Sequence, residues 1–180
     1  MASLRIVAGH FGGRRIEAPR GRSTRPTADR VREAVFSMLP ELSGRTVLDL
    51  YAGSGALGIE AVSRGADSAV FVERDPRAVA CLRRNLESLG IDAPIHRREA
   101  LRFLADARVA GSRFGVVFVD PPYSSASELG VRLSEHLPPV LADNALIVSE
   151  SDRRHALQLG LPLARERTYG DTRIAIHRVP

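Results

Sequence analysis

The sequence has one cysteine, Cys81, no tryptophan and no lysine, so all 26 basic residues are arginine. A single cysteine cannot form an internal disulfide, which excludes the disulfide-stapled secreted class and favours a reducing cytoplasm. No apolar run approaches the ~20 residues that a transmembrane helix needs, and residues 1–10 have no apolar signal-peptide core. No Cys/His cluster has the spacing of metal ligands. We therefore expect a cytoplasmic protein without a metal or a membrane partner.

The composition is that of an ordinary globular protein, but the charge is unevenly distributed. The 180 residues are 44% hydrophobic and 26% charged, which suits a compact fold with a substantial core. The entire net charge of +5 lies in residues 1–40, which hold eight arginines and three acidic residues. Clustered arginines are the usual electrostatic sign of phosphate binding. A solubilising tail would explain this cluster equally well on its own.

The hydrophobic pattern divides the chain into an N-terminal extension, 1–45, and a domain, 46–180. In the extension, residues 4–8 and 14–18 alternate apolar and polar side chains on either side of a glycine-rich turn, which predicts a β-hairpin. Apolar residues at a spacing of three to four then predict an amphipathic helix over 28–39. We interpret this basic extension as an RNA-binding element.

From residue 46 onwards, strand-like runs alternate with helix-like segments. The predicted strands cover 46–51, 69–73, 94–97, 115–120 and 145–149. The predicted helices cover about 56–64, 77–89, 99–108 and 126–137. Two further strands, 161–168 and 172–179, are predicted around a turn at 169–171. Short apolar strands separated by helices indicate an α/β fold, with a parallel sheet covered on both faces and here closed by an antiparallel hairpin.

The first strand of the domain leads into a glycine loop of the kind that binds nucleotides. Gly53, Gly55 and Gly58 match G-x-G-x-x-G between a strand and a helix, and Glu73 follows 20 residues after the first glycine. Such glycines allow a tight turn close to the ligand, and a strand-end carboxylate can accept hydrogen bonds from both ribose hydroxyls. The pattern fits both NAD and S-adenosylmethionine. Asp49 favours the methyl donor, because its carboxylate suits an ammonium group and would repel a pyrophosphate.

The predicted strand 115–120 ends in the sequence Asp120-Pro121-Pro122-Tyr123. Two prolines remove two backbone donors and fix the chain, which predicts a rigid loop at the carboxyl edge of the sheet. An amino group on a base is a poor nucleophile because its lone pair is delocalised into the ring. The Asp120 carboxylate and the Pro121 carbonyl can accept its two N–H protons and direct the lone pair at a methyl sulfonium, while Tyr123 stacks on the base.

Together, these motifs resemble class I S-adenosylmethionine-dependent methyltransferases, and the loop at Asp120 resembles that of their amino-methylating branch. Residues 25–33 (RPTADRVRE) and 49–61 (DLYAGSGALGIEA) resemble the RsmD family of bacterial 16S ribosomal RNA guanine-N2 methyltransferases. The resemblance covers nearly the whole chain. It implies a doubly wound, seven-stranded, mostly parallel sheet whose last strand is antiparallel. It also implies methyl transfer to one guanine of 16S ribosomal RNA in a small-subunit assembly particle.

The motifs and the resemblance together predict three groups of site residues. The methyl donor, S-adenosylmethionine, is expected to contact Asp49, Tyr51, Gly53, Ser54, Gly55, Glu73, Arg74, Glu99 and Ala100. The catalytic loop is expected to consist of Asp120, Pro121, Pro122 and Tyr123, the last of which is phenylalanine in many relatives. The RNA is expected to contact Arg14, Arg15, Arg22, Arg25, Thr27, Arg30 and Arg32. We expect the protein to be a monomer.

Three other functions stay open on the sequence alone. An adenine-N6 methyltransferase acting on DNA or RNA uses the same Asp-Pro-Pro-Tyr loop, but a DNA enzyme normally carries an added target-recognition region. An oxidoreductase with a nicotinamide cofactor explains the glycines and Glu73 but not the loop at Asp120. A non-enzymatic ribosome assembly factor explains the basic extension but leaves the donor pocket without a role.

Overall fold

A computed structural model describes residues 3–18, 26–122 and 126–180 of the chain. The extension begins with an antiparallel hairpin of two short strands, β1 (Ser3–Arg5) and β2 (Arg15–Glu17), in which Leu4 lies opposite Ile16. The predicted hairpin is therefore confirmed, with shorter strands and a longer turn. Helix α1 (Pro26–Met38) follows, two residues earlier than predicted.

The domain contains the remaining seven strands and four helices of the described residues. The strands are β3 (Thr46–Asp49), β4 (Ser68–Val72), β5 (Ile95–His96), β6 (Phe114–Val119), β7 (Leu141–Asp152), β8 (Leu163–Tyr169) and β9 (Thr172–Arg178). The helices are α2 (Ala56–Ser63), α3 (Pro76–Leu89), α4 (Ala100–Val109) and α5 (Ala126–His136). A short 3₁₀ helix at Pro138–Val140 leads into β7.

The seven strands form one sheet in the order β5-β4-β3-β6-β7-β9-β8. The pairings of β3 with β4 and β6, of β4 with β5 and of β6 with β7 are parallel, whereas β9 is antiparallel to both of its neighbours. Only β9 therefore runs against the other strands of this sheet. The prediction of a mostly parallel seven-stranded sheet with an antiparallel last strand is confirmed.

Each face of the sheet is covered by helices because side chains alternate between the faces along a strand. On one face, Val47 and Phe118 belong to a core that includes residues of α1, α2 and α3. On the other face, Leu48 and Val117 belong to a core that includes residues of α4 and α5. All six residues of the central strand β6 are buried, as expected for a doubly wound sheet.

The sequence pattern was least accurate at the edge and at the end of the sheet. Strand β7 spans 12 residues rather than the predicted five, since its polar ends are held by backbone pairing, for example of Asp152 with Thr172 in β9. Strand β5 has only two residues, at the sheet edge. Tyr169 is the last residue of β8, so the final turn is shorter than predicted. No helix in the described ranges is long and apolar enough to cross a membrane.

The extension packs on the domain and shares its core. Ile6 and Ile16 of the hairpin segment are buried with α2 and α3, and the Phe36 ring of α1 lies 5.6 Å from the Phe118 ring of β6. The division of the chain at residue 45 stays a prediction. The packing gives the hairpin a defined place beside the domain.

Candidate active site

The candidate site lies where the carboxyl ends of three neighbouring strands meet, which we call the carboxyl edge. Asp49, the last residue of β3, lies opposite Phe71 in β4 on one side and Phe118 in β6 on the other. Glu73 and Asp120 directly follow β4 and β6. Because ligands of open α/β sheets bind at this edge, the strand register brings the three predicted acidic residues into one region.

The glycine loop connects β3 to α2 at this edge, and close packing explains its glycines. Gly53 and Gly55 have φ angles of 55° and 82°, a left-handed conformation that favours glycine. A Cβ atom on Gly58 would lie 2.3 Å from Cε1 of Phe71. Helix α2 can therefore approach β4 only because this position has no side chain.

The carboxylate of Asp49 is held beneath the start of α2. Its Oδ2 accepts a hydrogen bond from the Gly58 amide at 2.9 Å, and the residue is only 2% exposed. The first turn of a helix has unpaired amides and a partial positive charge, so a carboxylate at this position is stabilised. Asp49 therefore supports the glycine loop, in addition to the donor-binding role predicted from the sequence.

Glu73 connects the glycine loop to the start of α3. Its Oε2 accepts a hydrogen bond from the Gly53 amide and its Oε1 accepts one from the Asp75 amide, both at 2.9 Å. A carboxylate oxygen can accept more than one hydrogen bond. The half-buried Glu73 thus keeps capacity for a ribose hydroxyl while it fixes the conformation of the loop.

Four further residues of the predicted donor site lie on the α4 side of the carboxyl edge: Tyr51, Arg74, Glu99 and Ala100. The buried Tyr51 hydroxyl has no hydrogen-bond partner within the described part of the chain. Burial raises the pKa of Tyr51, and the negative charge of Glu99 raises it further, whereas Arg74 lowers it. Glu99 accepts a hydrogen bond from the Arg102 amide at the start of α4, and Ala100 is buried. These predicted donor-site residues are therefore neighbours in the fold.

The loop after β6 begins at this edge. Asp120 is half-buried, Pro121 is buried and Pro122 is exposed. Asp120 follows Val119, which lies opposite Ser149 of β7, so the loop leaves the middle of the sheet. Tyr123 lies outside the described residues, and its stacking role stays a prediction.

The residues predicted to contact RNA lie at several places. Arg14, Arg15 and Arg30 are exposed. Arg14 donates to the Ser88 carbonyl at 2.5 Å, and Arg15 donates to the Ser3 hydroxyl at 3.0 Å. Arg22, Arg25 and the side chain of Thr27 lie outside the described part of the chain.

The expectation for Arg32 is corrected, because its side chain is buried and faces the protein. Its guanidinium donates to Asp29 at 2.8 Å and to the carbonyl of Arg5, and its Nε lies 3.8 Å from Oε2 of Glu60. With 5% of the residue exposed, Arg32 cannot present its charge to RNA. A fully buried carboxylate at Glu60 requires nearby cations, and Arg32 provides one beside Arg64, whose Nε lies 2.7 Å from Oε1 of Glu60.

The hairpin lies along α2 and α3, with its turn at the far end from the site. The His10 amide donates to the Ser63 carbonyl at 2.7 Å, and a Cβ on Gly9 would lie 1.8 Å from that oxygen. Ser63 is the last residue of α2, which begins at the carboxyl edge. Arg14 contacts Ser88 near the end of the 14-residue α3, whose length of about 20 Å separates it from the site. The turn is therefore remote from the loop at Asp120.

Two buried polar residues that the sequence reading missed hold the hairpin in place. Glu60 is fully buried and accepts hydrogen bonds from the amides of Val7 and Ala8 at 2.7 and 3.1 Å. Asn85 is 1% exposed and binds the backbone of Glu17. Both lie among apolar neighbours in helical segments, and a polar side chain on such a face was the available signal.

Comparison with known proteins agrees with this geometry. A family model described as "Conserved hypothetical protein 95" matches residues 4–178. The "Ribosomal RNA small subunit methyltransferase D" of Escherichia coli (strain K12) is 40% identical over 86% of this chain and 77% of its own length. The chain belongs to the RsmD family.

Further relatives cover almost the entire chain. YlbH of Bacillus subtilis (strain 168) is 38% identical over 97% of this RsmD-family chain and 98% of its own length. The solved structure of yhhF from Escherichia coli has a TM-score of 0.83 at 33% identity, and the match covers 98% of both chains. The fold and the family predicted from the sequence are thus confirmed.

Proposed function

We propose that this protein transfers a methyl group from S-adenosylmethionine to the exocyclic N2 of a guanine in 16S ribosomal RNA during small-subunit assembly. The observation that carries the proposal is the register of β3 with β6. It places the glycine loop and the Asp120-Pro121-Pro122 loop on adjacent strands of the same sheet edge. The name of the Escherichia coli relative supports ribosomal RNA as the substrate class.

The residues at the edge fit an adenosine with an amino-acid tail. Gly53 and Gly55 let the backbone approach the ligand without side chains, and the Glu73 carboxylate can bind ribose hydroxyls. Asp49 and Glu73 make this half of the site acidic, which suits the ammonium group and the sulfonium charge of the donor. Bound there, S-adenosylmethionine supplies an electrophilic methyl group.

The loop at Asp120 supplies the second half of the chemistry. The Asp120 carboxylate and the Pro121 carbonyl accept the two N–H groups of the guanine N2, which directs the nitrogen lone pair toward the methyl carbon. A bond forms from N2 to that carbon as the carbon–sulfur bond breaks, and the electron pair stays on sulfur. Asp120 stabilises the positive charge that develops on N2, and one proton leaves the nitrogen afterwards.

The guanine must leave its stack to reach this loop, as bases do in enzymes that modify them. In the proposal, Tyr123 stacks on the extruded base. Arg30, and in the sequence Arg22, Arg25 and Thr27, contact the neighbouring phosphates. Arg14 and Arg15 can reach only RNA that extends along the hairpin. A long contact of this kind suits a structured assembly particle, which we propose as the partner of a monomeric enzyme.

The test is methyl transfer from labelled S-adenosylmethionine to small ribosomal subunits from cells that lack this gene, followed by nucleoside analysis. Labelled N2-methylguanosine supports the proposal. Label in N6-methyladenosine would be consistent with the same amino-methylating mechanism but would identify the protein as an adenine-N6 methyltransferase. Absence of label, although the donor binds, would contradict ribosomal RNA as the substrate.

The catalytic role of Asp120 has its own test. The variant Asp120→Ala is expected to lose on the order of 100-fold in rate, the scale of removing one preorganised polar group, while RNA binding persists. Asp92→Ala, which changes an exposed aspartate before β5, serves as the matched control. Equal rates for the two variants would contradict the proposed catalytic role of Asp120.

A further inference from the structure

The side chain of Asn85, in α3, joins the hairpin to the glycine loop. Its Oδ1 accepts a hydrogen bond from the Glu17 amide at 2.8 Å, and its Nδ2 donates to the Glu17 carbonyl at 3.0 Å. The same Nδ2 donates to the Ser54 carbonyl at 2.9 Å. One buried amide thus binds the end of β2 on one side and the donor loop on the other.

This connection leaves the amide little freedom. A carboxamide has two N–H donors and one carbonyl oxygen, and Asn85 uses all of them on backbone groups of other segments. The residue is 1% exposed, so water cannot replace a lost partner. A shift of the Glu17 backbone must therefore move the Asn85 amide, and this movement changes the hydrogen bond from that amide to the Ser54 carbonyl.

The other contacts of the hairpin lead elsewhere. Glu60 and Ser63 bind the backbone of residues 7–11 toward the end of α2 that is remote from the site. Arg84 pairs with the Glu17 carboxylate at 2.7 Å, but its side chain is exposed. It makes no hydrogen bond to the described residues of the glycine loop. Within the described ranges, Asn85 alone hydrogen-bonds both the hairpin and the glycine loop.

The sequence places the RNA-binding segment directly after this junction. In the proposed function Arg22 and Arg25 contact RNA, and they follow Glu17 by five and eight residues in the sequence, so RNA bound to them also restrains the chain at Glu17. We propose that Asn85 is a positioning residue through which RNA and the methyl donor raise each other's affinity. This inference rests on the proposed function, since it requires that one protein binds both ligands. By linkage, the effect must be equal in both directions.

The first experiment measures this coupling by calorimetry on the full chain. The Kd of S-adenosylhomocysteine is determined with and without a saturating 16S ribosomal RNA fragment. We expect RNA to lower this Kd by about fivefold or more in the unmodified protein, the usual scale of coupling between sites. In Asn85→Ala the factor should fall to about one, whereas Arg84→Ala, which removes the neighbouring contact with Glu17, should keep it. An unchanged factor in Asn85→Ala would overturn the inference.

A second experiment needs no variant, so it stays decisive if Asn85→Ala fails to fold. Hydrogen exchange is followed in the unmodified protein with and without S-adenosylhomocysteine, in the absence of RNA. We expect slower exchange in residues 53–58 and also in 15–18, with no change in the edge strand 163–169. Protection of 53–58 without protection of 15–18 would overturn the coupling. Protection of neither segment would contradict the donor site itself, and with it the proposed function.

Discussion

The guanidinium of Arg32 and the carboxylate of Glu60 form a buried ion pair, with 3.8 Å between Nε and Oε2. Their side chains are 6% and 0% exposed. Arg64 pairs with the other oxygen of Glu60 at 2.7 Å, and the amides of Val7 and Ala8 complete its partners. One carboxylate therefore connects α1, α2 and the hairpin segment.

We predict that Glu60→Ala strongly destabilises the fold. The change removes the acceptor of the Val7 and Ala8 amides and of Arg64, and it leaves the buried Arg32 with Asp29 as its remaining carboxylate partner. Breaking a buried ion pair in this way costs about 3–5 kcal/mol. The free energy of unfolding, measured by urea denaturation, is expected to fall by that amount. Glu87→Ala, at an exposed position of α3, should change it by less than about 0.5 kcal/mol. Similar values for the two variants would contradict the role of Glu60.

The stability of the protein should also depend on pH through His177. This residue is 4% exposed, and its Nδ1–H donates to the Leu161 carbonyl at 2.9 Å. Its Nε2 is buried and has no partner in the described part of the chain. Burial lowers the pKa of His177, so the unfolded chain binds the proton more readily than the folded protein. The free energy of unfolding should therefore fall as the pH drops below about 6.5, the pKa of an unfolded-state histidine.

The measurement compares urea denaturation at several pH values between neutrality and moderate acidity. His177→Gln is expected to show a smaller loss of stability on acidification than the unmodified protein, because the titrating group is gone. His155→Gln is the control, since the His155 side chain is 74% exposed. An identical pH dependence in His177→Gln and the unmodified protein would assign the effect to other groups.

The predictions from sequence succeeded where the fold follows local patterns. The strand at Asp49, the glycine loop and the helix ending at Leu89 could be located because apolar periodicity and glycine spacing directly reflect their packing. Arg32 was misjudged because its burial depends on Glu60, 28 positions away in the chain. The role of Asn85 was likewise hidden, since its partners Ser54 and Glu17 are 31 and 68 residues distant. Contacts between distant segments leave no periodic trace in the sequence.

Gly58 offers a test of the glycine loop that is independent of catalysis. A Cβ there would lie 2.3 Å from Cε1 of Phe71 and 3.2 Å from Oδ2 of Asp49. We expect Gly58→Ala to cost about 1–3 kcal/mol in stability, as overpacking of a core does, and to weaken donor binding by displacing α2. Thermal unfolding and titration with S-adenosylhomocysteine measure the two effects. Gly160→Ala serves as the control. Its Cβ would lie 3.6 Å from Ser134, an ordinary van der Waals contact, so neither stability nor donor binding should change.

Arg30 and Arg32 lie two positions apart on α1, yet we predict opposite consequences for their loss. Arg30 is exposed, so Arg30→Ala should leave the free energy of unfolding unchanged and weaken RNA binding. If Arg30 contacts one phosphate, the magnitude of the slope of log K against log salt should decrease by about 0.7–0.9. Arg32 is buried against Glu60, so Arg32→Ala should destabilise the fold by about 3–5 kcal/mol and leave the salt slope of the folded fraction unchanged.

Fluorescence titrations of a 16S ribosomal RNA fragment at several salt concentrations, with urea denaturation of the same samples, separate the two effects. Because RNA-bound arginine releases counterions and a buried arginine does not, the salt slope reports contact with phosphate rather than general loss of structure. A reduced slope in Arg32→Ala would mean that its guanidinium leaves the pair with Glu60 to bind RNA. An unchanged slope in Arg30→Ala would remove Arg30 from the RNA interface.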